Sequence, residues 1–308
     1  LILRGFLDDQ GKPDTAKTAF KTGLKVYPFA QRNNPPANTF TNLTGSDVNT
    51  IHANNFKFYE ELDEVIQREP SEMFSPELLG MASAIGIQKG KPFNPTREQK
   101  ALLTEAVAIG NATARSILFA PQDPKAYIYP GKAGYWQTGF PGGNHTYLVD
   151  GGNGGRDMDG RTLFFYLATV NTPAMVLELP GVGSQYAFSS RDSSGAYLDG
   201  SKTYKLNIPA NPPAQRFWSF VVYDPQTRSM LQSKEMPYPS KNNKRNPEMA
   251  KNADGSIDLY FGPEAPAGKE ANWVKTVPGK GWFGIFRLYG PGQEWFDRSW
   301  KLGAIERL

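Results

Sequence analysis

RFWSFVVYD, residues 216–224, decides the fold. It is apolar on both faces and rich in β-branched and aromatic residues, as a strand buried within a sheet must be. The neighbouring segments carry the same period. KTYKLNIP (202–209) alternates Tyr204, Leu206 and Ile208, SIDLYFG (256–262) alternates Ile257, Leu259 and Phe261, and GWFGIFRLYGP (281–291) closes the set. From about residue 120 onward, Gly and Pro punctuate the chain at strand-length intervals, which predicts an antiparallel sandwich. LDGS (198–201) and ADGS (253–256) each hold an Asp-Gly pair, the signal of a tight hairpin.

Upstream the period is helical. DTAKTAFKTGL (14–24) predicts a short helix capped by Asp14. A Pro-rich connector follows, VYPFAQRNNPPANTF (26–40). In NNFKFYEELDEVIQRE, Phe58, Leu62, Val65 and Ile66 recur at helical spacing. Ser75 with Pro76, and Asn94 with Pro95, each read as a helix start. The second of these opens a long helix with Leu102, Leu103, Ala106, Val107 and Ile109 on one face.

The expected class is therefore α+β: a tail and connector at 1–50, a helical segment at 51–120, and a C-terminal sandwich at 121–308. The chain opens LILRGFLDDQGKPD without Met, and that opening reads as an internal start.

Composition excludes several chemistries. The 308 residues contain no cysteine, so thiol catalysis, iron–sulfur clusters, Cys-based zinc sites and disulfides are absent. The net charge is only +4. The densest basic stretch, SKNNKRNPEMAK (240–251), reads as a solvated loop, so no nucleic-acid partner is expected. No apolar run is long enough to predict a membrane span.

The long motifs resemble a known family. NTIHANNFKFYEELDEVI (49–66), LDGSKTYKLNIP (198–209), RFWSFVVYD (216–224), NADGSIDLYFGPEAPAGKEANWV (252–274) and GWFGIFRLYGP (281–291) resemble a bacterial paired family, domain of unknown function (DUF) twelve-fifty-four followed by DUF twelve-fourteen. The resemblance implies a jelly-roll-like C-terminal sandwich. It also implies a β-rich first domain of which this chain keeps the tail, and an exported, periplasmic or secreted, location. It carries no catalytic residues. Exposed sandwich edges and a partial first domain predict a homo-oligomer.

The candidate site is FPGGNHTYLVDGGNGGRDMDGRT, 140–162. It holds His145, one of only two histidines, the other being His52. Any Ser-His-Asp triad must use one of them, and no G-x-S-x-G elbow occurs. His52 reads as a partner of a turn or helix start. Asp150, Asn153, Asp157 and Asp159 offer oxygen ligands for a hard cation such as Ca²⁺. The full EF-hand pattern is missing, however, and Asp157 and Asp159 also fit side-chain turns with Gly160 at positive φ. LFFYLATV (163–170) after the loop reads as a strand, which argues against a phosphate-binding helix start.

Arg161 and Arg191 fit an acidic ligand. Trp136 and Tyr147 are aromatic neighbours able to stack on a sugar or to pack beneath the loop. Two functions are compatible with this pattern. One is a β-sandwich that binds a small molecule or glycan. The other is a hydrolase or lyase acting on a carbohydrate or acidic small molecule through His145 with Asp157 or Asp159. A cofactor is not required by either, Ca²⁺ being the one candidate.

Overall fold

The structure, a computed structural model, describes residues 3, 5, 8, 10, 12–43, 46, 49, 51–168 and 170–308. Thr50, the expected boundary, and much of the opening run lie outside the described residues. The chain divides into two compact units, Leu1–Asn49 and Thr50–Leu308.

The first unit holds helix α1, Asp14–Gly23. Its N-cap is Pro13, with no side-chain cap, and Asp14 sits one place further in, paired with Lys17 at 3.0 Å. There its charge favours the positive helix end without capping it. Beyond the helix, Asn38 folds back to donate to the Leu24 carbonyl at 2.8 Å, which pins the start of the connector.

The second unit begins with three helices, α2 Lys57–Arg68, α3 Pro76–Ala84 and α4 Arg97–Phe119. Tyr59, Ile66, Ala82 and Ile87 form their core, with Leu62, Leu103 and Val107 packed against it. The buried stripe of α2 is thus Tyr59, Leu62 and Ile66, while Phe58 and Val65 face solvent. Leu102 and Ile109 of α4 are likewise exposed. Ser75 caps α3 with Pro76 at its first position, as the sequence predicts. The start of α4 lies two residues past Asn94. Thr96 Oγ1 accepts from Gln99 N at 3.2 Å and Gln99 Oε1 accepts from Thr96 N at 2.9 Å. This reciprocal pair satisfies two helix-end donors at once, which Asn94 could not do.

Helix α5, Met158–Leu167, follows the glycine-rich loop. The run LFFY was expected to be a strand, and its residues do have strand propensity. Asp157 overrides that preference: its carboxylate accepts from Gly160 N at 2.8 Å and caps the helix. Gly160 has no positive φ, contrary to the expectation. It is small because a Cβ there would collide with the Asp157 carboxylate.

Two four-stranded sheets complete the unit. Their strands are β1 Ser184–Ser189, β2 Tyr204–Ile208, β3 Ala214–Tyr223, β4 Ser240–Asn242, β5 Ile257–Gly262, β6 Trp273–Lys275, β7 Phe283–Pro291 and β8 Ile305–Arg307. A four-residue helix, α6 Gln293–Phe296, separates the last two. The sheet orders are β1-β7-β3-β4 and β6-β5-β2-β8. All pairs are antiparallel except β5 with β6, which run parallel. The fold is therefore mixed α+β with two mostly antiparallel sheets.

β3 lies inside its sheet, as the doubly apolar RFWSFVVYD demands. Phe220 from this sheet meets Phe261 from the other with ring centroids 4.9 Å apart. Leu206, Ile208, Phe220, Leu259 and Phe286, all at 0% exposure, show that one core serves both sheets. At about 25 cal/mol per Å² of apolar surface, such residues dominate the stability.

The two DGS segments are not strand-joining hairpins. β1 pairs with β7, and β2 pairs with β5 and β8. Instead Asp199 accepts from the Ser201 N–H and hydroxyl, and Asp254 accepts from Ser256 N. Each Asp side chain closes its own turn. Among the described residues no helix is long and apolar enough to cross a membrane.

Candidate functional site

The glycine-rich loop 140–157 is held by its own backbone. Val149 N donates to Gly155 O and Asp157 N to Tyr147 O, while Leu148 bridges Arg156. Gly152 at φ +108° takes a conformation that residues with a Cβ avoid. The loop then delivers Asp157 to the start of α5.

The expected site residues separate in this framework. Asp157 and Asp159 line one small cavity of about 100 Å³ with Asp123 and Ser116. His145 is not among its lining residues, and no hydrogen bond or ion pair joins His145 to either aspartate. The His145 carbonyl accepts from Asn171 Nδ2. Asp150 occupies an exposed turn at φ +48°, and Asn153 is also exposed. Among the described residues, no group of three or more His, Cys, Asp or Glu side chains is placed to hold a metal ion. Asp157 is committed to its cap, its carboxylate accepting from Gly160 N.

The two aromatic candidates are internal. Trp136 is 0% exposed, its Nε1 donates to Gly303 O at 2.9 Å, and its ring meets Phe220 edge-on. Tyr147 is 2% exposed between Phe140 and Phe164, and its hydroxyl donates to Gly139 O. Burial, then the Asp157 charge, pushes the Tyr147 phenol far up, so it stays protonated. Tyr147 therefore packs beneath the loop and Trp136 within the core shared by the sheets, both out of a ligand's reach. Arg161 lies over the Phe165 ring. Arg191 is spent locally: it donates to Gly195 O and to the Tyr197 hydroxyl, both at 2.7 Å, and stacks 3.9 Å above the Tyr197 ring.

A larger cavity, about 440 Å³, lies on the other side of α4 at Ser116. One wall is the C-terminal half of α4, with Ala112, Arg115 and Phe119. The floor is Ser190, Leu198 and Trp282 from the sheet ends. Asp192 shapes that floor: its Oδ1 accepts from Ser194 N, Ser194 Oγ and Ala196 N, folding 192–196 back so that Tyr197 stands over the rim. The remaining wall is the turn at Pro225 and Gln226.

Two features of this cavity are unusual. Ser190 Oγ and Trp282 Nε1 are buried and have no hydrogen-bond partner. A buried polar atom in that state costs about 1–3 kcal/mol. The surroundings are also cationic. Arg115 Nε and Arg228 Nη1 both donate to the Tyr166 hydroxyl, and among the described residues neither arginine forms an ion pair. Burial, with help from Arg115, pulls the Arg228 pKa down against Tyr166 and Asp224. The nearby carboxylate, Asp224, is already paired with Lys280 at 2.8 Å. His52 feels the same field: burial, then Arg228, lowers its pKa, while Glu61 opposes.

The sheet region is also where a known family matches. Residues 183–293 match the family described as "Protein of unknown function (DUF1214)". That span carries Ser190, Tyr197 and Trp282, whereas Arg115 and Phe119 lie outside it. No curated protein matches the chain. A crystal structure of a Vibrio parahaemolyticus protein aligns with a TM-score of 0.40 and 19% identity, over 89% of this chain and 59% of its own. A crystal structure of an uncharacterised Burkholderia cenocepacia protein aligns with a TM-score of 0.32 and 16% identity, over 75% and 48%. This chain thus spans between about half and three-fifths of those two proteins.

Sequence reasoning missed Arg115, Ser190, Trp282 and Gln226 as a group. They come from four segments, and none belongs to a local motif. Trp282 is also part of the core, at 1% exposure.

Proposed function

We propose that the protein binds a small organic acid in the 440 Å³ cavity beside α4. One observation carries the reading: Ser190 Oγ and Trp282 Nε1, both buried without partners, belong to residues lining the same cavity. An indole N–H only donates, and Arg115 only donates. Such a set calls for an acceptor, and Arg115, with no ion pair among the described residues, favours an anionic one. Phe119, Leu198 and Pro225 supply apolar walls for its body. The volume falls within the range of about 300–1,000 Å³ usual for small-molecule sites.

The reading is tested by thermal melting with a panel of aromatic and aliphatic monocarboxylates, each beside its neutral amide. Carboxylates raise the melting temperature, because a ligand of the native state must stabilise it. Equal responses to acid and amide would remove the anionic part of the claim, and no response to any would remove the site.

The same proposal extends to the fold and setting. Eight strands in two sheets of four, with non-consecutive neighbours in each, support a jelly-roll-like sandwich. The resemblance to the paired family supports an envelope location. Fractionation of the native host tests the location.

A further inference from the structure

The outer face of β7 carries a second unusual group. β7 runs between β1 and β3. Phe286 and Leu288 point into the shared core, so Phe283, Ile285, Arg287 and Tyr289 project from the opposite face. Half of that face is covered: Phe283 and Ile285 pack under Leu118, Phe119 and Leu163 of α4 and α5. The other half belongs to no buried cluster. There the register sets Tyr186, Arg287 and Ser219 abreast, with Ser184, Tyr289 and Phe217 in the next row.

Arg287 is the centre of this shelf. Its guanidinium lies 5.7 Å from the ring centres of both Tyr186 and Tyr223, and it donates to the Tyr223 hydroxyl. Its Nε is buried with no partner. Among the described residues it forms no ion pair. Tyr223 does not supply the missing charge, since burial raises its pKa more than Arg287 lowers it. Arginine cannot lose its proton in a protein. A part-buried cation with no carboxylate partner among the described residues therefore sits on this face, and an anion complements it.

The rest of the shelf describes that anion. Phe217 and Tyr289 stack face to face with centroids 4.1 Å apart, an apolar pair beside the guanidinium. Tyr186, 39% exposed on the edge strand, adds another ring, and its hydroxyl accepts from Ser184 Oγ at 2.7 Å. Flat rings, a line of hydroxyls and one unpaired guanidinium match a ligand with a ring face, hydroxyl groups and a carboxylate. We infer that this shelf is a second binding site, for the uronic acid units of an acidic saccharide. The carboxylate meets Arg287, and the sugar ring lies on Tyr186.

The test is calorimetric titration of the whole chain with free galacturonate, an oligogalacturonate and a neutral oligosaccharide of equal length. The inference expects uronate binding, none by the neutral oligomer, and weakening by salt. Tighter binding of the oligomer than of the monomer identifies a polymer as the source, and equal binding per unit identifies the free sugar acid. Tyr186→Ala, on an exposed edge position, weakens binding about tenfold, as expected for a lost stacking face. Arg287→Gln abolishes it. Absence of uronate binding by the wild type would overturn the site. So would undiminished binding by Tyr186→Ala, whether or not Arg287→Gln folds.

Discussion

The Asp157 carboxylate accepts a hydrogen bond from Gly160 N at 2.8 Å, and Gly160 leaves no room for a side chain beside it. This pair turns the end of a glycine-rich loop into the first turn of α5. Asp157→Ala removes the cap and is expected to cost about 1 kcal/mol. Asp157→Asn, which can still accept, should cost less. Chemical denaturation of the three proteins checks the ranking; equal stability of Ala and Asp would mean that the cap contributes nothing.

Gly284 makes a second close approach, against the ring of Phe220 on the paired strand. Any Cβ there must displace a core aromatic that also touches Phe261. Gly284→Ala is expected to destabilise by about 1–3 kcal/mol, the usual effect of overpacking. The denaturation midpoint reads it directly.

Ser190 predicts the opposite sign. Most substitutions at 4% exposure destabilise. Here the hydroxyl has no partner, so Ser190→Ala removes a cost and is expected to leave stability unchanged or raise it by about 1 kcal/mol. A loss above 1 kcal/mol would show that the hydroxyl is satisfied in solution.

His52 predicts a pH dependence. Its folded pKa is lowered from the ordinary imidazole range by burial and by Arg228, with Glu61 opposing. The unfolded state therefore binds a proton first as pH falls. Stability is unaffected above the unfolded value and is lost as pH drops through it toward the folded value. His52→Gln should flatten the melting profile across that window. An unchanged slope would assign it to other groups.

Much of the sheet region was legible in sequence. The alternation in KTYKLNIP and the double apolarity of RFWSFVVYD each report one-sided or two-sided burial, and β2 and β3 obey them. Short strands such as β6 and β8 have too few residues to show a period. LFFY misled because its apolar residues fit either period, and only the Asp157 cap three residues before Gly160 breaks the tie. The helical stripes were half right: of Phe58, Leu62, Val65 and Ile66, Ile66 is buried and Leu62 packs against the core, while Phe58 and Val65 are exposed and the unread Tyr59 is buried. The cavity was illegible for a different reason. Arg115, Ser190, Gln226 and Trp282 meet only through tertiary packing, and each carries an ordinary local role.

The central claim is that an anionic acceptor reaches the unpaired donors of the 440 Å³ cavity. It is tested most directly by the indole N–H resonance of Trp282, assigned by its loss in Trp282→Phe. Titration with the most stabilising carboxylate of the panel should shift that resonance to saturation, with the same midpoint as the melting response. A Trp282 signal that stays fixed while the ligand saturates the protein would contradict the account.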